Sequence, residues 1–273
     1  MYVQRRDFCD LPREVYEIDS TPISNAFHMR MDLFPIFNNT FKQCNFDLDN
    51  KAFIELLVII ISTMMITKVQ ASLDDLHEQL KSIEEKREKL ITGTRKVVLL
   101  CGKSIMALHR NEIKEGEKQL EEARLLLNEF KPYAKTDLQR YMNDAEQEFV
   151  EASMLKSICE DSPLPLREDL NVSGPSYITG ILDTIGEIKR LVYDRMRRSQ
   201  TSDVIKLFGL MQELYNAVYA LGVYDNLIPG LRRKLDISKM ITEDVRAAVT
   251  EDSRRELMIN ALAILERKLK HDV

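Results

Sequence analysis

The chain has 273 residues, 44% of them hydrophobic and 30% charged, enough to bury a sizeable core in one large domain or two small ones. Its formal net charge of -5 excludes a molecule whose whole field attracts polyanions, so a nucleic-acid partner has to be met by local basic patches. With only 9 glycines, 8 prolines and no tryptophan, a strand-and-turn architecture lacks its usual punctuation, and a soluble helical protein is expected.

Seven of the ten phenylalanines fall at or before Phe53, in a stretch with neither helical nor alternating order. It runs into an uncharged segment, Leu56 to Ile66, bracketed by Glu55 and Lys68 and shorter than the roughly 18 to 20 residues of a membrane span. Three readings of residues 1–68 stay open: a marginal membrane anchor, an apolar helix covering the main domain, or upstream sequence carried by a start codon set too early. A membrane partner is not expected, and residues 69–273 are taken as the folded domain.

From Val69 onward helical periodicity dominates. A long amphipathic helix begins with Leu73, Leu76, Leu80 and Ile83 and continues through Val97, Leu100, Ile105 and Leu108. A second, about Glu115 to Phe130, ends before Pro132. A third is predicted to start at a Thr136 or Asp137 cap, with Leu138, Tyr141, Met142, Ala145, Phe149 and Ala152 on one face. Asp161 to Pro175 reads as a loop. A fourth helix from about Ser176 places Ile178, Ile181, Leu182, Ile185, Ile188 and Val192 on one stripe, a fifth runs from Thr201 to Leu221, and one or two more follow the break at Pro229-Gly230. The sum is an all-α, antiparallel bundle of about six to seven helices, since short connections favour antiparallel neighbours.

Two acidic sets stand out. Glu148 and Glu151 are three apart on the third helix, with Asp144 extending the line, and Asp183 and Glu187 are four apart on the fourth, turned away from its apolar stripe. If these helices pack antiparallel, four carboxylates meet, and such a set suits a hard divalent cation that orients water and neutralises charge on a phosphate. A solvated acidic face has the same spacing. Carboxylates gathered without a cation repel, so at least one is expected to keep its proton above its ordinary value.

Basic residues gather at Lys189, Arg190, Arg195, Arg197 and Arg198, and again at Arg232, Arg233 and Lys234. These suit backbone phosphates, and equally serve as helix-end counterions. Tyr215, Tyr219 and Tyr224 offer base-stacking surfaces, although helical spacing favours the core for Tyr215 and Tyr219. His77, His109 and His271 have no catalytic partner at motif spacing, and no nucleotide loop, nucleophile elbow or HExxH occurs. Cys9, Cys44, Cys101 and Cys159 are too scattered for zinc or a disulfide frame, which fits a reducing, cytoplasmic setting.

The segment Gln147-Glu148-Phe149-Val150-Glu151-Ala152, followed by Tyr177-Ile178-Thr179-Gly180-Ile181-Leu182-Asp183-Thr184-Ile185-Gly186-Glu187-Ile188-Lys189-Arg190, resembles the translin family, on the side of its translin-associated factor X and archaeal branches. Thr94 to Val98 and Gly230 to Asp236 resemble further family segments, so the likeness runs in order from about Val69 to Ile241 and leaves residues 1–68 without a counterpart. The resemblance implies a helical subunit of a closed, roughly eight-subunit homo-oligomeric shell holding single-stranded RNA or DNA. In the nuclease branch the acids matching Glu148, Glu151, Asp183 and Glu187 are the catalytic, metal-binding residues of a Mg²⁺- or Mn²⁺-dependent endoribonuclease. Arg190, Arg197, Arg198, Arg232, Arg233 and Lys234 are the expected nucleic-acid contacts. The alternative within the family is a non-catalytic nucleic-acid-binding protein. Basic residues that translin carries on the third helix are replaced here by Tyr141-Met142-Asn143-Asp144.

Overall fold

A computed structural model describes residues 51–271, and the expectations for the phenylalanine-rich start of the chain lie outside them. Among the described residues there is no strand and there are seven α-helices: α1 (Lys51–His109), α2 (Ile113–Phe130), α3 (Asn143–Cys159), the single-turn α4 (Arg167–Leu170), α5 (Gly174–Met196), α6 (Thr201–Tyr219) and α7 (Leu231–His271). Three 3₁₀ turns, Lys131–Tyr133, Thr136–Tyr141 and Ala220–Tyr224, complete the helical content. The chain divides into two compact units, Met1–Asp74 and Asp75–Val273. Of the first, the described residues are all helix, and its Val58, Ile59, Ile60, Met64, Met65 and Ile66 side chains are exposed. Among the described residues, α1 is the one helix long and apolar enough to cross a membrane by length and composition.

The second unit holds the core. Leu90, Val97 and Cys101 of α1 meet Leu120 and Leu127 of α2, Phe149, Val150 and Leu155 of α3, Ile185, Ile188 and Val192 of α5, Met211 of α6, and Leu231 and Val245 of α7. These are the stripes that the spacing predicts, since positions three and four apart share one helical face. The α1 stripe divides, however. Leu90, Val97, Leu100, Ile105 and Leu108 are buried, whereas Leu73, Leu76, Leu80 and Ile83, at the same spacing, are exposed. Periodicity reports a face with something to cover and does not say what covers it.

Short links give antiparallel neighbours, as expected. Ser104 Oγ of α1 donates to the Gly116 carbonyl of α2 at 2.7 Å, and farther back Lys96 pairs with Glu122 at 3.2 Å. Likewise α6 opposes α7, with Arg246 over the Phe208 ring at 5.5 Å and Gly222, just past the end of α6, beside Leu235. The pair α3 and α5 differs from the antiparallel expectation, because these helices run in the same direction. Ser176 Oγ donates to the Asn143 carbonyl at their starts, Gly180 lies on Val150 midway, and Arg195 acts on Cys159 at their ends. The connection makes this possible: a 17-residue helix rises about 25 Å, and the chain between the two helices, with the single turn α4 included, is long enough to span that distance.

Local chemistry explains the helix boundaries. Instead of one continuous third helix, the chain takes the 3₁₀ turn Thr136–Tyr141, with Lys135 at its N-cap, and re-enters an α-helix at Asn143. At α5 the Ser173 hydroxyl caps the first turn by accepting from the Ser176 amide at 3.3 Å, and Pro175 sits in that turn, where no amide donor is needed. This sets the start of α5 two residues before the predicted one. Gly180 lets α3 and α5 come close: a Cβ there would lie 2.6 Å from Val150 Cβ and 2.8 Å from the Gln147 carbonyl oxygen.

Candidate metal and nucleic-acid site

The parallel packing of α3 on α5 brings the four predicted acids into one neighbourhood. All four are half-buried, and the charges of Asp183 and Glu187 act on both Glu148 and Glu151. Burial pushes the Glu151 carboxyl up from 4.5 to about 8, and the charges of Glu148, Asp183 and Glu187 add to it. Glu148 is raised by burial first and by Asp183 next. Asp183 is also raised by burial, with its bond to Lys234 opposing the shift. The expected proton retention is therefore present, but loss of water is the larger cause and like-charge repulsion the smaller.

Two side chains absent from the sequence-based catalytic set complete the neighbourhood. Lys234 Nζ, from the first turn of α7, donates to both carboxylate oxygens of Asp183, at 2.5 and 2.7 Å. His109 Nε2, at the end of α1, is hydrogen-bonded to Glu187 Oε2. The His109 side chain is only 3% exposed, and its Nδ1 has no hydrogen-bond partner. Its signal in the sequence was its register: Cys101, Ile105 and His109 follow one another at four-residue spacing, so His109 extends a buried stripe. Lys234 ends a basic run, the signal behind its expected phosphate contact, and in the fold it is bonded to Asp183.

The other predicted cations lie outward. Arg190, Arg197, Arg198, Arg232 and Arg233 are exposed. Arg190 is 3.9 Å from Glu187 and Arg197 pairs with Asp194, while Arg198, Arg232 and Arg233 make no side-chain ion pair among the described residues. Tyr219 is exposed rather than in the core, with its ring centroid 5.8 Å from that of the half-buried Tyr215, and Tyr224 is exposed as well.

The donor set suits a hard divalent cation: four carboxylates, three of them held above their ordinary range, with one ammonium among them. Among the described residues no three His, Cys, Asp or Glu side chains already converge closely enough to hold an ion. Asp183 is turned to Lys234 and Glu187 to His109. The fit is therefore one of chemistry and neighbourhood, with two of the donors engaged by protein partners.

An all-helical bundle with four acids gathered from two codirectional helices is the arrangement to compare with known proteins. No family model matches the chain. Among solved structures it is similar to AfC3PO, determined both alone and in complex with duplex RNA, at 25% identity and a TM-score of 0.63 over 68% of this chain and 98% of that one. It is also similar to apo-NeC3PO, at 24% identity and a TM-score of 0.60 over 66% of this chain and 96% of that one. These C3PO structures are translin-family structures, and the present chain is similar to them in fold. An uncharacterized protein of Methanocaldococcus jannaschii is 28% identical over 180 residues, 63% of this chain and 80% of that protein.

Proposed function

We propose that the chain is a Mg²⁺- or Mn²⁺-dependent endoribonuclease acting on single-stranded or short RNA, working as a cytoplasmic homo-oligomer. The observation that carries the reading is the gathering of Glu148, Glu151, Asp183 and Glu187 from two helices, half-buried, with three carboxyls raised. AfC3PO, seen with duplex RNA, supports RNA as the partner class. The exposed Leu73, Leu76 and Leu80 support a subunit contact, since a run of apolar side chains is ordinarily covered. Both described cysteines, Cys101 and Cys159, are free thiols, in keeping with a reducing compartment.

In this reading the four acids hold the cation, which when bound supplies charge neutralisation at a scissile phosphate and lowers the pKa of a water. The remaining work belongs to the chain's own groups. The hydrogen bond from buried His109 fixes the orientation of the Glu187 carboxylate. Arg190 stands exposed beside Glu187, and Arg197, Arg198, Arg232 and Arg233 offer outward cations for backbone phosphates.

The test is cleavage of labelled single-stranded and short duplex RNA, with Mn²⁺ or Mg²⁺ and with EDTA, by the full chain and by Glu148→Ala and Glu187→Ala. Cleavage by the wild type only with metal, reduced about a hundredfold in each variant, is expected. Equal cleavage in every sample contradicts the reading. Binding without cleavage passes it to a non-catalytic nucleic-acid-binding role, supported by the exposed Arg232 and Arg233, which make no side-chain ion pair among the described residues. Affinity would then fall steeply with salt and drop in the double alanine variant.

A further inference from the structure

We propose that Lys234 is the resident cation of the acidic site, an ammonium that neutralises Asp183 until a divalent ion displaces it and so sets the affinity of the site for metal. The inference rests on the metal-dependent reading above and assigns a gatekeeping role within it. Lys234 bonds both oxygens of Asp183, and the two side chains are 27% and 26% exposed, so the pair is largely withdrawn from water. Its charge reaches beyond that partner, because it also acts on Glu148 and Glu151 and opposes the rise of both. One ammonium thus compensates three of the four acids. Another cation nearby, Arg190, stays at the margin, 3.9 Å from Glu187 with its side chain 55% exposed.

The ammonium can also leave. Lys234 lies in the first turn of α7, whose backbone is fixed by the Lys234 amide donating to the Gly230 carbonyl at 3.1 Å. A four-carbon stem can therefore swing toward solvent while the helix stays in place. Exchange of this single charge for a divalent ion frees both Asp183 oxygens as ligands and supplies the acids with twice the compensating charge. In this account the engagement of Asp183 by Lys234 is why the donors do not already converge.

The test is Mn²⁺ binding to the full chain at pH 8 and low salt, followed by the electron paramagnetic resonance of free Mn²⁺. Wild type is compared with Lys234→Met and Lys234→Arg. Removing a positive charge a few ångströms from the ion is expected to tighten Mn²⁺ binding about tenfold or more. Lys234→Arg, whose planar fork grips a carboxylate at two points, is expected to bind no tighter than wild type. A readout without mutation uses amine acetylation by a small anhydride, mapped by mass spectrometry, in which Mn²⁺ is expected to increase labelling of Lys234. If wild type binds Mn²⁺ but Lys234→Met binds it equally or more weakly, or labelling is unchanged by Mn²⁺, Lys234 is an ordinary ion pair and the proposal falls while the metal site stands. Absence of Mn²⁺ binding in all three proteins overturns both.

Discussion

Two stretches of the same α3–α5 contact treat their carboxylates in opposite ways. At its start, Glu146 is buried to 2% exposure and supplied with donors: the Ser173 amide at 2.9 Å and Gln139 Nε2 at 3.3 Å, with the Lys131 charge nearby. Farther along α3, Glu148 and Glu151 are half-buried among other acids, with Lys234 as the opposing charge. The first arrangement is architectural, because it ties α3 to the amide that opens α5 and satisfies a helix-end donor. The second collects negative charge faster than the fold supplies partners, the condition under which an external cation stabilises the folded state. Donor supply, rather than burial or acidity, separates Glu146 from Glu148 and Glu151 here.

The contrast is breakable by substitution. The largest effect is expected at Glu146: Glu146→Ala leaves the Ser173 amide without its acceptor and lowers stability by about 2 kcal/mol, read by denaturant unfolding with and without Mn²⁺. The loss should be the same in both conditions, and a loss that disappears with metal would assign Glu146 to the site.

A smaller and opposite effect is expected at Glu151. Its folded carboxyl titrates near 8 against an ordinary 4.5, so the folded state binds this proton better than the unfolded chain does. The contribution to stability is full below pH 4.5 and is lost as pH rises through about 8. Metal-free wild type should therefore lose stability across that window more steeply than Glu151→Gln, with the variant gaining most on wild type at the alkaline end. Parallel pH profiles from thermal melts in EDTA would show that the acids are solvated after all.

Much of this architecture was legible in the residues, and the limits have physical causes. The α2 end before Pro132 and the α5 stripe from Ile181 to Val192 follow from local sterics and from spacing, both contained within a few residues. The acids were found because pairs three and four apart on a helix share a face, and the family likeness chose among the uses of such a face. What escaped was long-range. His109 meets Glu187 across 78 positions, and Lys234 meets Asp183 across 51, distances over which no periodicity acts. The shared direction of α3 and α5 was hidden in the connection between them, where an extended return path and a short loop imply opposite packings. The exposed Leu73 to Ile83 stripe and the buried Leu90 to Leu108 stripe carry the same pattern, so only tertiary packing could tell them apart.

The central claim is that Glu148, Glu151, Asp183 and Glu187 form a divalent-cation site rather than an acidic surface. The measurement that meets it most directly is the thermal midpoint at pH 7.5 to 8, in EDTA and in excess Mn²⁺, for wild type and for Asp183→Asn/Glu187→Gln. Binding to the folded state alone raises stability by about 2.7 kcal/mol at a hundredfold excess over Kd, so a clear upward shift is predicted for wild type. The double variant should shift far less. An identical shift in both proteins, or none in either, would contradict the account.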